Sequence, residues 1–252
     1  MRNSSTPATI LAVKQALENN RTVTLLTPSD GIVYATLFGG PKSRLRSLAS
    51  PFNCGTAWLY KDETKKSCKL TDFDVKTYHP SFNENLFKAY AASFAGEIVI
   101  KSRCGGSPEQ AFYLLNGLLD GMELSDENNS RLGLVRFLWR YSSLLGVRPD
   151  TQFCCQCGKP LADDSVLYSE SDNGFVCSDC IPRGSMQKAD TFILSGNAVT
   201  YLQAVSVLQP REVREIVIDE PTLLELRDFC YSFIQSACST KFLSLESGLS
   251  IL

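Results

Sequence analysis

At 252 residues the chain can form one large domain or two to three small ones, with enough length to bury a genuine core. No apolar run approaches the roughly 18 residues of a membrane span, and MRNSSTPATILAV, with one Arg and a short apolar patch, makes a poor signal peptide. A cytoplasmic protein without membrane contact is predicted, and the net charge of −2 excludes a uniformly basic nucleic-acid coat.

The charge is unevenly spread. Residues 1–80 hold 11 Lys+Arg against 6 Asp+Glu, while the remainder holds 14 against 21. A basic front and an acidic back suggest two surfaces with different partners, although composition noise alone would also produce this difference.

The first 78 residues read as short strands: ATILAV (8–13), TVTLLT (22–27), IVYATLF (32–38), CGTAWLY (54–60) and SCKLTDFDVK (67–76). All are rich in β-branched and aromatic residues. PSDG (28–31) supplies a turn and KDETKK (61–66) a polar connector. Five short antiparallel strands suit a small closed barrel, for which the OB-fold is the common solution.

From residue 80 the pattern becomes helical. SFNE (81–84) reads as a capping box with Ser81 as the cap, ahead of Leu86, Tyr90, Phe94 and Ile98. SPEQ (107–110) repeats the device with Pro108 at the first helical position, before Phe112, Leu115 and Leu119. GMELSDENNS (121–130) reads as a solvated loop. A third helix is predicted over about 130–145, carrying Leu134, Leu138, Tyr141 and Leu145 and stopping at Gly146. Two more begin at Ser195 and after Asp219. The predicted fold class is multidomain α+β: an OB-fold barrel over 1–79, a helical domain over 80–150 and 183–252, and an inserted cysteine module over 151–182.

Ten cysteines in a chain without an export signal are not read as a disulfide framework. Cys54, Cys68, Cys104, Cys230 and Cys238 stand singly among apolar residues and are expected to be buried. Cys154 and Cys157 form C-x2-C, as do Cys177 and Cys180, with 19 residues between the pairs. Each short turn presents two sulfurs on one side, so four thiolates can converge on one tetrahedral Zn2+ ion. Gly158 suits the knuckle, since glycine takes positive φ without strain. Cys155 would make a cramped C-x-C and is left to packing. Four sulfur ligands leave no open position for an activated water, so the ion is predicted to be structural.

Enzyme signatures are not found. The single histidine, His79, precedes a proline in what reads as a surface loop, which removes H-x-E deaminase chemistry. There is no G-x-S-x-G and no H-E-x-x-H, and GGPKS (39–43) places Pro41 where a phosphate loop needs glycine. Carboxylate pairs remain open, because Asp and Glu can converge from anywhere. A non-enzyme is expected.

GGPKSRLR (39–46) is the other informative stretch. If extended, it sets Lys42, Arg44 and Arg46 on one face about 7 Å apart, which matches the phosphate repeat of a nucleic-acid strand. A solvated charged loop is the competing reading. Tyr34, Phe38, Trp58 and Tyr60 could stack bases if they point outward, and at least half of them are expected in the barrel core.

These features together resemble the bacterial RecO family of DNA repair and recombination mediators over nearly the full chain. The resemblance is carried by VTLLTPSDG (23–31), GGPKSRLR (39–46), LASPF (48–52), LLGVRPD (144–150) leading into CCQCG, GFVCSDC (174–180) and LSGNA (194–198). It implies an N-terminal OB-fold, a helical domain and a zinc-ribbon-like insertion. It also implies a non-catalytic role: binding single- and double-stranded DNA, annealing complementary strands, and loading the RecA recombinase with RecR onto strands coated by single-strand-binding protein. The acidic C-terminal tail of that coating protein would be a further partner, received by helical arginines such as Arg131, Arg136 or Arg140, and a nucleoid location follows when DNA is bound. Lys42 and Arg44 occupy the family's Lys-Ser-Arg signature. Arg46, Arg21 and Lys14 are added from charge and placement in the barrel. QALENNR (15–21) stands where the family usually has a Tyr-Gly-Glu-like element. The alternative is a zinc-ribbon interaction scaffold without significant DNA binding.

Overall fold

A computed structural model describes residues 2–16, 20–40, 43–161, 165–181, 192–248 and 250–252. The chain divides into two compact units, Met1–Leu134 with Lys241–Leu252, and Val135–Thr240.

The first unit is built on a closed barrel of β1 (Arg2–Gln15), β2 (Arg21–Thr27), β3 (Gly31–Leu37), β4 (Cys54–Asp62) and β5 (Ser67–Thr77), in the order β1-β2-β3-β5-β4. This is the five-stranded OB arrangement. Closure depends on β1, which pairs with β4 through its first half and with β2 through its second, bending at a register shift between Ile10 and Ala12. Its partners are antiparallel, and β3 meets β5 in parallel. Strict alternation sends Val23, Leu25, Ala35, Leu37, Ala57 and Leu59 inward, all essentially inaccessible to water.

Between β3 and β4 lies α1 (Arg44–Leu48). The predicted extended reading of this stretch is overturned here. Leu45, Leu48 and Ala49 recur at helical spacing, and all three pack against the barrel core. A strand would split them between two faces. The turn of helix instead turns all three towards the barrel, burying Ala49 and half-burying Leu45 and Leu48, and it sets Arg44 and Arg46 about 200° apart around the axis.

Three helices follow in this unit: α2 (Leu86–Lys101), α3 (Pro108–Glu123) and the first part of α4 (Glu127–Leu144). The helix over Ser81 is corrected. Pro80–Asn83 forms a separate 3-10 turn, and Asn85, not Ser81, caps α2 by accepting from the Lys88 N–H at 2.9 Å. The Ser81 hydroxyl is engaged by Glu123 at 2.7 Å. Leu86 stands in solvent, and Phe87, Ala91, Phe94, Ala95 and Ile98 form the buried face. The solvated loop shrinks to 124–126, because Asp126 accepts from the Asn129 N–H at 2.8 Å and starts α4 among polar residues. α3 packs on β2 and β3 and so buries β2 on both faces towards its C-terminal end.

His79 is likewise no surface residue. It is 6% exposed, stacks on Phe82, and faces two acceptors, the Phe52 carbonyl at 2.8 Å from Nδ1 and Asp120 Oδ1 at 3.0 Å from Nε2. Of the five single thiols, Cys104 and Cys230 are buried, while Cys54, Cys68 and Cys238 are half-buried. The Cys54 thiol donates to Asn116 Oδ1 at 2.9 Å, and burial pushes it up to about 11.

The second unit contains a small sheet of β6 (Val166–Ser169), β7 (Gly174–Val176) and β8 (Ile193–Leu194) in the order β7-β6-β8. Around it lie α5 (Gly196–Val207), α6 (Pro210–Arg214) and α7 (Glu220–Ala237). Ser195 and Asp219 cap α5 and α7 as the sequence predicts, accepting from the N–H groups of Ala198 and Thr222. Aromatic contacts fasten the sheet to α7: Phe229 meets Tyr168 at 5.2 Å and Phe175 at 5.8 Å between centroids. A last helix, α8 (Leu243–Ser247), belongs to the first unit and packs on α2.

Candidate metal centre and nucleic-acid face

The cysteine cage is assembled from two local turns. In the first, the Cys154 N–H donates to the Lys159 carbonyl at 2.8 Å and the Gly158 N–H to the Cys154 carbonyl at 2.9 Å. Gly158 takes φ of +71°, the conformation for which a side chain would be penalised. In the second, Cys177 follows β7 and a 3-10 turn brings Cys180 round, its N–H donating to the Cys177 carbonyl at 3.0 Å. The β6–β7 hairpin sets one turn against the other, and the exposed Lys159–Asp179 pair at 2.9 Å spans them.

All four sulfurs lie within 4.8 Å of one another. Cys157 and Cys177 are 3.7 Å apart, close to the edge of about 3.8 Å expected of a tetrahedron of thiolates on an ion at 2.3 Å. Four convergent sulfurs without a bridging disulfide form a site that can bind a metal ion. The electrostatics are uneven. Burial opposes ionisation of Cys154, but N–H groups of Cys177, Cys157 and Gln156 outweigh it and bring the thiol down to about 6. Hydrogen bonding to Cys157 and Cys177 pushes Cys180 up to about 12. One sulfur is thus held ready as a thiolate, while Cys177, raised first by burial, and Cys180 gain from a cation that favours their ionised forms. Cys155 stands apart from the four. Its side chain rests on Gly174, where an added Cβ would lie 2.6 Å from the Cys155 Cβ, and its N–H donates to the Phe175 carbonyl.

The cations named for phosphate contact are placed as follows. Lys14 is exposed on β1, opposite Thr22. Arg21 is half-buried at the start of β2, opposite Gln15 and Leu37, so the β1–β2 register puts it one residue out of step with Lys14, on the other face of the sheet. Arg44 is exposed and Arg46 half-buried on α1. Lys42 lies outside the described residues. Nε and Nη1 of Arg46 are shielded from water and have no hydrogen-bond partner among the described residues.

The aromatic expectation is corrected: none of the four rings is in the barrel core. Tyr34, Phe38 and Trp58 are exposed, and Tyr60 is half-buried on the outer wall. Lys69, which the sequence reading passed over, extends over the rings of Phe38 at 5.1 Å and Tyr60 at 5.8 Å. Its position in the alternation of β5, between Cys68 and the inward Leu70, is the signal that pointed outward.

In the second unit a groove of about 300 Å³ runs between α5 and the start of α7, lined by Tyr201, Ala204, Ile216, Val217 and Thr222 among others. Arg136 donates to the Tyr201 hydroxyl at 3.0 Å. Burial lowers the pKa of Arg140, and the nearby charges of Arg136, Arg214 and Arg148 lower it further, so four guanidiniums share this region. Arg131 is committed elsewhere, to Glu127 at 2.7 Å, to the carbonyls of Ile251 and Leu252, and over the Phe87 ring. No helix among the described residues is long and apolar enough to cross a membrane.

An OB barrel followed by helices that carry a four-cysteine cage defines a class of oligonucleotide-binding-fold protein with an appended metal-type module. Residues 1–77 match the family model described as Recombination protein O N terminal, and residues 83–246 match Recombination protein O C terminal. The chain belongs to the RecO family of DNA repair proteins. It is similar to the DNA repair protein RecO of Solidesulfovibrio magneticus, 28% identical over 70% of this chain and 72% of that one. Similar too are those of Geobacter metallireducens (25% identical over 85% of this chain and 88% of that one) and Moorella thermoacetica (24% over 90% and 83%).

Proposed function

We propose that this protein is a recombination mediator that grips DNA without making or breaking bonds. Residues 1–79 hold single- and double-stranded DNA by its phosphates. Neutralising two strands at once lowers their repulsion and lets complementary sequences anneal without nucleotide hydrolysis. Together with RecR it helps load the RecA recombinase onto strands coated by single-strand-binding protein, and it is nucleoid-associated while bound.

The observation that carries the DNA-binding reading is Arg46, whose Nε and Nη1 have no acceptor among the described residues, with the exposed Arg44 on the other side of the same helical turn. Unpartnered guanidinium N–H groups are costly, and a movement on α1 that opens them to a phosphate oxygen would satisfy them. Lys42, Arg44 and Arg46 are its main contacts in this reading, with Arg21 and Lys14 at the barrel's edge.

The helical part, residues 80–150 and 183–252, is the partner-binding region. The groove beside Tyr201, with Arg136 and Arg140 near it, suits the acidic, apolar-ended tail of single-strand-binding protein. Residues 151–182 hold one Zn2+ through Cys154, Cys157, Cys177 and Cys180. Sulfur donors at tetrahedral spacing favour that ion, and its chemistry here is to cross-link the two turns.

A salt titration of labelled single-stranded DNA against the wild type and a Lys42→Ala/Arg44→Ala/Arg46→Ala variant tests the core of the proposal. Expected is binding that falls steeply with salt and a slope reduced by about 2 in the variant, since each single-strand phosphate contact contributes about 0.7. An unchanged slope removes these residues from the contact. No binding of any DNA at low salt leaves the scaffold alternative.

A further inference from the structure

The four sulfurs of the cage are unequally accessible. Cys154 is 2% exposed, Cys177 and Cys180 are half-buried, and Cys157 is exposed. A fifth thiol, Cys155, is also exposed two residues before Cys157, but it lies outside the convergent four and rests on Gly174. The chain thus places two open thiols almost side by side and treats them differently. It gives Cys157 a sulfur neighbour at 3.7 Å, Cys177 of the other turn, and leaves Cys155 outside the group.

That difference has a chemical consequence. Sulfurs that hold a metal do so as thiolates, and the thiolate is the nucleophilic form. An accessible thiolate attacks the O–O bond of a hydroperoxide and becomes a sulfenic acid, which condenses with a second sulfur to a disulfide. Two cage sulfurs compete for this second step. Cys154 shares the knuckle with Cys157, but it is buried and its sulfur accepts the Cys177 N–H at 3.4 Å. Cys177 Sγ already touches Cys157 Sγ and has about 1.6 Å to close to bonding distance.

We propose that Cys157 is a site of oxidation by hydroperoxides, with Cys177 as the resolving thiol. The Cys157 thiolate attacks one oxygen of hydrogen peroxide, which leaves a sulfenic acid and hydroxide. The Cys177 thiolate then forms the S–S bond and expels a second hydroxide. Two protons from solvent complete two waters, so the two sulfurs lose the two electrons that the peroxide gains. Cys154 and Cys180 remain as two of four donors, too few to hold Zn2+, and the turns exchange a metal cross-link for a covalent one. A thiol reductant reverses the step. The inference rests on the zinc-cage reading above and adds a reaction to it: the module releases its ion in response to peroxide. Cys155 takes no part.

The test treats the purified full-length protein with a molar excess of hydrogen peroxide and follows released zinc with a chromogenic chelator. Remaining thiols are then alkylated and disulfides mapped by mass spectrometry. An endoprotease that cuts before aspartate, at Asp150, Asp172 and Asp179, puts Cys177 and Cys180 on separate peptides, and fragmentation on either side of Gln156 separates Cys155 from Cys157. Expected are loss of the one bound ion, a Cys157–Cys177 link, and Cys155 alkylated. Dithiothreitol with added zinc should restore the metal, and Cys155→Ala should release its ion at the wild-type rate. Metal retained under peroxide, a Cys154–Cys157 link in place of Cys157–Cys177, or release that requires Cys155 overturns the inference and leaves the cage intact. Untreated protein that holds no metal overturns the zinc reading and this inference together.

Discussion

Cys157 and Cys177 come from turns that flank the β6–β7 hairpin in sequence, and their sulfurs lie 3.7 Å apart. Nothing covalent or apolar accounts for that approach, because Cys157 is exposed and no disulfide is formed. A cation shared by the four thiols, as proposed above, would hold them there. Purified protein should therefore carry one metal ion per chain by elemental mass spectrometry, and Cys177→Ser/Cys180→Ser should carry none. The unfolding free energy of the variant should fall by about 4 kcal/mol, the mass-action gain from a ligand at a thousand times its Kd. Full metal content in the double variant would remove these residues as ligands.

In the metal-free protein the cage should be pH-sensitive. Cys154 has its pKa lowered to about 6 by N–H donors that outweigh its burial, so its contribution to stability is complete only above the ordinary thiol range near 9. That contribution is lost as pH falls through 6. Cys180 is raised to about 12, so its share is present below 9 and lost as pH climbs toward 12. Melting of the chelated protein should be highest near pH 9 and fall to either side. Thiolate absorbance should show one group titrating near pH 6 that Cys154→Ser abolishes.

Gly174 lies under Cys155, and a methyl group there would sit 2.6 Å from the Cys155 Cβ. Gly174→Ala should cost about 1–3 kcal/mol, the usual range for overpacking. Cys155→Gly on the same chain should recover most of it, whereas Cys155→Ala should not, because the clashing atom remains. Denaturant melts of the four variants measure this, and additive losses would deny the contact.

His79→Ala removes a buried ring that faces the Phe52 carbonyl and Asp120 and stacks on Phe82. The loss should be about 2–3 kcal/mol, because the Phe52 carbonyl loses its donor in a buried position. Tm should fall by roughly 5–10 °C. DNA affinity measured below that transition should be unchanged; a selective loss of DNA binding would instead make His79 a contact residue.

Reading the sequence recovered the features whose physics is local. The C-x2-C pairs fold their own turns, so the cage could be named from spacing, and the caps at Ser195 and Asp219 act within three residues. The errors share a different origin. Ser81 looked like a cap until Glu123, forty-two residues away, claimed its hydroxyl. His79 looked like a surface residue until Phe52 and Asp120 enclosed it. GGPKSRLR looked extended because its cations alternate, but its leucines also obey a helical period, and only the open mouth of a barrel decides between them.

What the sequence by itself determined is the inventory: five strands, the helices that follow them, and two thiol pairs at the spacing of a metal site. Periodicity and turn chemistry act over a few residues and need no knowledge of what lies across the fold. The tertiary structure alone decided which surface each element would expose. Alternation declares that a strand has two faces without saying which is covered. Barrel closure sent Leu37 and Leu70 inward, and α3 covered β2 toward its far end. Tyr34, Phe38 and Lys69 were left outside together, on strands that meet only because Thr36 and Lys69, thirty-three positions apart, pair in register.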